Sequence, residues 1–293
     1  MSQRRIGILG GSGLYDMDGF EGREEITLET PFGAPSDAFV VGRLEGREIV
    51  FLSRHGRGHR VNPSEINYRA NVWGMKRLGV DFLLAISACG SLRKKIEPGD
   101  FVVIDQHIDR TKSRPCTFFE DGIVAHIMFA DPITPSFARL VAAAAKQAGA
   151  TVHKGGTYVC MEGPAFSTRA ESHLYRSWGA DVIGMTNLTE AKLAREAEIA
   201  FATLALATDY DCWYEEHGDV SVGEVVATLT ANVSKAKETV RELCRSFPDD
   251  LENPHTGSLR HAILTAPDAI SEAARTRLDL LIGPYVSRIS AGA

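Results

Sequence analysis

Residues 201–213 read FATLALATDYDCW, an uncharged and mainly apolar run over 201–208 that stops at two aspartates with one aromatic between them and another just beyond. A run of this kind reads as a strand buried in a sheet, because a half-exposed strand would alternate apolar and polar residues. The same character recurs in RIGILG at 5–10, EIVFLS at 48–53, FLLAIS at 82–87, DFVVID at 100–105, TYVCME at 157–162 and ADVIGMT at 180–186. Successive side chains of a strand alternate, so Asp209 and Asp211 are expected to face one target if the extended conformation continues through them.

Between these runs lie helical signatures. Thr134 and Pro135 open a segment with Phe137, Leu140, Val141 and Ala144 on one face, closed by Gly149, and Ile66, Ala70 and Trp73 precede Gly79 in the same way. Thr168 with Glu171, Asn187 with Glu190, and Ser221 with Glu224 have the spacing of capping boxes, the last opening a helix that runs through Leu243. Strands alternating with helices predict an α/β fold: a single domain over residues 1–250 with a central, parallel or mixed sheet flanked by helices. The stretch FPDDLENPHTG at 247–257 breaks the pattern. Residues 251–293 are therefore expected to form a C-terminal extension, with one helix near 268–282, packed on the domain or on a neighbouring subunit.

The totals narrow the function. With 293 residues, 44% hydrophobic and 24% charged, the chain has the proportions of a globular protein with a large core. A formal charge of −6 offers no electrostatic footprint for nucleic acid. The five cysteines are odd in number and form no CxxC, which points to a reducing, cytoplasmic setting and to neither a disulfide framework nor a zinc site. The start MSQRRIGILGGSG has no signal-peptide pattern, and no run approaches the ~20 apolar residues of a membrane span. A soluble, untargeted protein is expected.

In α/β sheets ligands bind outside the carboxyl ends of the strands, so these ends are the place to look for chemistry. After RIGIL come Gly10, Gly11, Ser12 and Gly13; after EIVFLS come Arg54 and His55; after FLLAI come Ser87 and Ala88; after DVIGM comes Thr186. Hydroxyls, a guanidinium, an imidazole and backbone N–H groups at glycines are what a tetrahedral anion such as phosphate requires. The glycine turn is neither a dinucleotide fingerprint, since Asp16 replaces its third glycine, nor a Walker loop, since no Gly-Lys-Ser/Thr follows. Each residue alone fits an ordinary turn or cap, or in the case of Arg54 a solvated basic loop. Their coincidence at four strand ends argues for a site. A metal at the two aspartates is disfavoured, because neither Gly10–Gly13 nor Ser87–Ala88 brings a further carboxylate. A heterocycle with ring nitrogens and an amino group suits two carboxylates better.

The segments GILGGSGL, SRHGRGH, NYRANVWGMKRLG, SACGSLRKKIEPGD, DQHIDRT, EGPAFSTRAESHLYRSWGADVIGMT and ATDYDCW, in this order, resemble the trimeric purine nucleoside phosphorylase family, and its methylthioadenosine-cleaving members in particular. The likeness runs from about Ile6 to Leu243 and leaves the region after about 250 outside the pattern. It implies phosphorolysis: 5′-methylthioadenosine and inorganic phosphate give adenine and 5-methylthioribose 1-phosphate, a step of purine and methionine salvage. Phosphate is then a co-substrate, and no cofactor or metal is implied. By this likeness Ser12, Arg54, His55, Ser87, Ala88 and Thr186 hold phosphate, Met185 lies against the ribose and Phe166 packs beside the base.

The resemblance also gives the carboxylates roles. A base leaving an oxocarbenium-like sugar gathers negative charge, so a protonated group near N7 lowers the barrier. Asp209 is the candidate general acid and Asp211 the acceptor for the exocyclic amino group, although the pair could share the proton. The 6-oxopurine members carry Glu after the Phe corresponding to Phe166 and Asn in place of Asp209; here Ser167 and Asp209 stand there. Those members also place a His for the 5′-hydroxyl where this chain has Val222, with Val225 following near it, an apolar wall suited to a methylthio group. Without the likeness Ser167, Val222 and Val225 would read as a helix-start residue and plain core. A neighbouring subunit is implied to cover the 5′ end with His126, in a homotrimer, alone or paired as a dimer of trimers. The competing readings are a 6-oxopurine nucleoside or 5′-methylthioinosine phosphorylase, against which Asp209 and Ser167 speak, and a non-catalytic purine-binding module, which would lack the phosphate set.

Overall fold

The computed structural model of the chain describes residues 4–11, 13–14, 17–214 and 222–286. Among these, eleven strands join in one mixed sheet whose axis is β5 (Val80–Ser91). On one edge of β5 lies β11 (Ala200–Asp209), paired in parallel along almost its whole length. The apolar reading of 201–208 holds: nine of the ten residues of β11 are buried, and only Asp209 at its end is partly open.

The other edge of β5 is divided. β1 (Arg5–Gly10) pairs with it in parallel as far as Leu9 opposite Ala85, and β10 (Val182–Gly184) pairs antiparallel with Ile183 opposite Gly90. The two strands therefore approach from opposite directions, and the carboxyl ends of both point into the interval that residues 86–89 of β5 leave without a strand partner. This gap positions the site. Beyond β1 the sheet continues through β4 (Arg47–Ser53), β3 (Phe39–Leu44) and β2 (Glu21–Ile26), and beyond β10 through β9 (Thr157–Met161) and β7 (Gln106–Arg110). β6 (Phe101–Val103) pairs antiparallel with β11 and parallel with β8 (Val152–Lys154).

Two helix pairs cover this sheet. α2 (Pro135–Gln147) and α5 (Val222–Ser246) pack on each other and on β11, while α1 (Tyr68–Arg77) and α4 (Asn187–Glu196) pack on each other and on β5. α3 (Arg169–Ser177) opens with the expected capping box, Thr168 Oγ1 accepting from Glu171 N at 3.2 Å and Glu171 Oε2 accepting from Thr168 N at 2.8 Å. The box expected at Asn187 and Glu190 does not form: the N-cap of α4 is Thr186, and both side chains are drawn away to tertiary partners. The one at Ser221 and Glu224 lies outside the described residues and side chains.

Polar edge strands were not legible as strands. β2, EGREEI, and β7, QHIDR, are partly or fully exposed and lack the apolar run of a buried strand. The C-terminal segment carries α6 (Glu272–Ile282), which starts later than the expected 268 because Ser271 caps it, its hydroxyl accepting from Ala274 N. Leu259, Ala262, Ile270, Leu278 and Ile282 are buried in the same core cluster as the strands. Glu198 anchors this segment: its Oε1 accepts from Leu259 N at 2.8 Å and its Oε2 from the Tyr285 hydroxyl at 2.7 Å. No helix among the described residues is long and apolar enough to cross a membrane.

Candidate active site

The gap along residues 86–89 of β5 gathers most of the residues the sequence singled out. Arg54 follows β4, and its backbone N–H donates to Gly10 O at 3.1 Å, tying the ends of β4 and β1 together. Ser87 and Ala88 belong to β5 itself, which runs four residues beyond the run read from sequence, and the Ser87 hydroxyl turns to Ala88 O at 3.2 Å. From the other side β10 delivers Met185 and Thr186. The Thr186 hydroxyl is buried, takes no part in capping α4 and has no hydrogen-bond partner among the described residues. It sits at a helix N-terminus, where free N–H groups and the helix dipole favour an anion. The hydroxyl of Ser53, next to Arg54, is likewise buried without a partner. Ser12 lies outside the described residues.

Arg54 is only 2% exposed, and its guanidinium is largely committed. Nε donates to Glu190 Oε1 at 2.6 Å and Nη2 to Glu190 Oε2 at 3.0 Å; Nη1 donates to Ile86 O at 2.7 Å and Nη2 also to Leu9 O at 3.1 Å. A guanidinium has five N–H bonds, so one remains without a partner among the described residues, on Nη1, the nitrogen held at the β5 gap. Burial works against the charge of Arg54, but the Glu190 carboxylate outweighs it and holds the arginine protonated. His55, half-buried beside it, is held neutral, its pKa lowered to about 4 by burial and by the Arg54 charge. Its Nδ1 lies 2.8 Å from Val61 O, which only accepts, so Nδ1 carries the hydrogen and Nε2 is left as an acceptor.

Asp209 and Asp211 do converge, by a turn rather than by strand alternation. β11 ends at Asp209 after a register shift against β5, and Asp211 adopts a left-handed backbone with φ of 49°. Asp209 Oδ1 accepts from Asp211 N at 2.7 Å, an Asx-turn that reverses the chain and brings the second carboxyl back toward the first. Asp209 Oδ2 accepts from Thr208 Oγ1 at 2.8 Å. Both residues pack over Gly90: a Cβ there would lie 3.0 Å from Asp209 Oδ1 and 3.3 Å from Asp211 Cβ. Asp211 is 6% exposed, and its Oδ2 has no partner among the described residues. Burial, reinforced by the Asp209 carboxylate, holds it above the ordinary carboxylate range.

The side expected to face the base is built by the chain after β9. Phe166 is 47% exposed, and Ser167 follows it at the entrance to α3, its carbonyl accepting from Cys212 Sγ at 3.3 Å. Met185 packs its sulfur over Gly163, where a Cβ would come within 2.5 Å of Sδ. One buried arginine, not singled out from the sequence, joins these parts. Arg114 donates from Nη1 to Met185 O and to the Tyr68 hydroxyl, from Nη2 to Glu162 O, and from Nε to Glu162 Oε1 at 3.1 Å. It thus fastens the ends of β9 and β10 to each other.

Three expected residues are at least partly exposed in the single chain. Val222 opens α5 and is 67% exposed, with Val225 half-exposed on the same helix, while residues 215–221 that lead to them are outside the described chain. His126 lies on an exposed loop, its N–H donating to Ala262 O at 2.9 Å, and among the described residues no hydrogen bond joins it to the site.

A gap with an unpartnered hydroxyl and a spare guanidinium N–H beside paired carboxyls has the makings of an enzyme site, and similarity to known proteins gives its class. The family model described as the phosphorylase superfamily matches residues 5–245, and the chain belongs to that family. It is 57% identical over 282 residues to the S-methyl-5′-thioadenosine phosphorylase of Geobacter sulfurreducens, covering 96% of this chain and 99% of the relative. With the same enzyme of Koribacter versatilis it shares 52% over 291 residues, 99% of this chain and 100% of the relative. Among solved structures, a methylthioadenosine phosphorylase from an antarctic soil metagenomic library superimposes with a TM-score of 0.91 at 45% identity, over 96% of this chain and 99% of the other. The methylthioadenosine phosphorylase of Schistosoma mansoni in complex with adenine gives 0.84 at 34% identity, over 89% and 99%.

Proposed function

We propose that the protein is a pentosyltransferase that cleaves 5′-methylthioadenosine with inorganic phosphate, yielding adenine and 5-methylthioribose 1-phosphate. The observation that carries this reading is the interval of β5 at which β1 and β10 end head to head, next to the carboxyls of Asp209 and Asp211. In this reading phosphate lies in the gap, held by Thr186, Ser87, the backbone at Ala88, the last N–H of Arg54 and Ser12. His55, neutral and with Nε2 as an acceptor, takes the hydrogen of a protonated phosphate oxygen. No cofactor takes part.

A phosphate oxygen bonds to C1′ as the bond from C1′ to N9 breaks, and the electron pair of that bond goes to the adenine. Asp209 gives a proton to N7, which removes the charge developing on the base. Asp211 accepts from the exocyclic amino group, and burial together with the neighbouring Asp209 charge raises its pKa, which favours sharing of a proton within the pair. Phe166 packs on the base with Ser167 at its edge, Met185 faces the ribose, and Val222 and Val225 wall the methylthio group, which needs no hydrogen-bond partner.

We read the assembly as a homotrimer, alone or paired, in which His126 reaches the 5′ end of a neighbour's substrate. The surroundings of His126 support this: Val124 is 47%, Met128 85% and Leu264 62% exposed, an apolar collar suited to a second copy of the chain. The reducing setting expected from the cysteines makes this a cytoplasmic enzyme, with residues 251–293 as an extension of the 1–250 domain.

The test is to incubate the protein with methylthioadenosine with and without phosphate and identify the products. Adenine and the sugar phosphate should appear only when phosphate is present. Release of adenine and free methylthioribose without phosphate would make the protein a hydrolase and overturn the reading.

A further inference from the structure

Glu190 is a carboxylate only 1% exposed, and the reaction described above gives it no task. We infer that it is a positioning residue, which holds the Arg54 guanidinium in the one orientation that offers a single N–H to phosphate. This rests on Arg54 facing phosphate, as proposed above.

The geometry is a clamp from three elements. Glu190, in the first turn of α4, takes Nε at 2.6 Å and Nη2 at 3.0 Å, the forked arrangement that fixes both the position and the plane of a guanidinium. Leu9 O at the end of β1 and Ile86 O in β5 take one hydrogen each from Nη2 and Nη1. Without the carboxylate those two carbonyls would be the remaining acceptors, and a planar group held at one edge can swing about its stem. Three N–H groups would then compete for an anion in place of one. The same helix carries Thr186 four residues earlier, so α4 sets the unpartnered hydroxyl and the arginine clamp on neighbouring positions of one face.

A carboxylate beside an anion site also has a cost, since its charge repels phosphate. The two effects predict opposite signs. If Glu190 serves only to neutralise Arg54 within the core, Glu190→Gln removes a negative charge and phosphate binds more tightly. If Glu190 positions Arg54, the same change lets the guanidinium wander and phosphate binds less well, because misplacement of a contact by about 1 Å costs on the order of a hundredfold.

The experiment is steady-state kinetics with phosphate and methylthioadenosine varied in turn, on wild type, Glu190→Gln, Arg54→Met and the double variant. Glu190→Gln is expected to raise KM for phosphate about tenfold or more while KM for the nucleoside stays within about threefold. In the Arg54→Met background the second change should add less than about twofold, since a positioning residue has nothing left to position. A KM for phosphate that is unchanged or lower in Glu190→Gln, or effects that multiply in the double variant, overturns the inference alone. An Arg54→Met variant with wild-type phosphate dependence overturns it together with the placing of Arg54. If Glu190→Gln does not fold, Glu190→Asp keeps the charge but draws the carboxylate back by one methylene. The same split of the two KM values is then expected, and equal changes in both would count against positioning.

Discussion

Gly90 stands where β5, β10 and β11 meet, and a methyl group on it would lie 3.0 Å from Asp209 Oδ1, 3.1 Å from Ile183 Cγ2 and 3.3 Å from Asp211 Cβ. Each neighbour would have to yield by a few tenths of an ångström, and both carboxyls lie on the yielding side. Gly90→Ala is therefore expected to fold and to lose on the order of tenfold in kcat, since catalysis is more sensitive to such displacements than stability is. Circular dichroism with steady-state kinetics checks this, and a variant with full kcat would show that the pair tolerates the shift. The same scale shows how far single residues were legible. Asp209 and Asp211 stood out because charge ended an apolar run. Arg114 did not, and Glu190 read only as a cap, because a buried charge looks like a surface charge until its partners are known: those partners lie far away in sequence, Arg54 for Glu190, and Tyr68 and Met185 for Arg114.

Elements differ in the same way. The capping box of α3 was legible because its two members are neighbours and their hydrogen bonds need only local backbone. At α4 identical spacing misled, since Glu190 finds a stronger partner in Arg54, and Asn187 Oδ1 accepts from Thr203 Oγ1 at 2.7 Å and meets His107 Nε2 at 2.8 Å. Thr168→Ala should cost about 1 kcal/mol through the lost cap. In a chain of this size that is a fall in Tm of about 2 °C, measurable by calorimetry, with KM for phosphate unchanged because α3 lies on the side of the base. A fall in phosphate affinity would mean that α3 is coupled to the gap. The exposed strands β2 and β7 were hidden for the opposite reason: an edge strand paired on one side carries no apolar run to betray it.

Across the whole molecule, buried ionisable groups couple stability to pH with opposing signs. Burial lowers the pKa of His107 to about 4, while its unfolded value is near 6.5. Between these values the unfolded chain binds the extra proton, so this contribution to stability is present at neutral pH and is lost as pH falls from 6.5 through 4. Glu196 acts the other way, its pKa raised to about 7 by burial: the folded state holds the proton there, and stability from this group falls as pH rises from 4.5 to 7. The two are separated by difference. His107→Gln keeps a donor toward Asn187 Oδ1 but cannot titrate, so its stability should fall less than that of wild type between pH 7 and 4.5, by about 2 kcal/mol. Urea unfolding at both pH values measures it; equal losses in the two proteins would mean that His107 is already charged in the fold.

By itself the sequence determined the class of fold, where along the chain most of its buried strands lie, most helix starts and, through motifs resembling a known family, the reaction. These rest on local periodicity, on turn and cap chemistry between neighbours, and on runs long enough to be specific. The tertiary structure alone decided that β1 and β10 end head to head against the unpaired edge of β5, that a turn and not a strand brings the carboxyls together, and that Arg54 enters the site already bound to Glu190. Strand order, register and the pairing of buried charges are contacts between residues distant in the chain, and their energies depend on a burial that exists only once the sheet has formed.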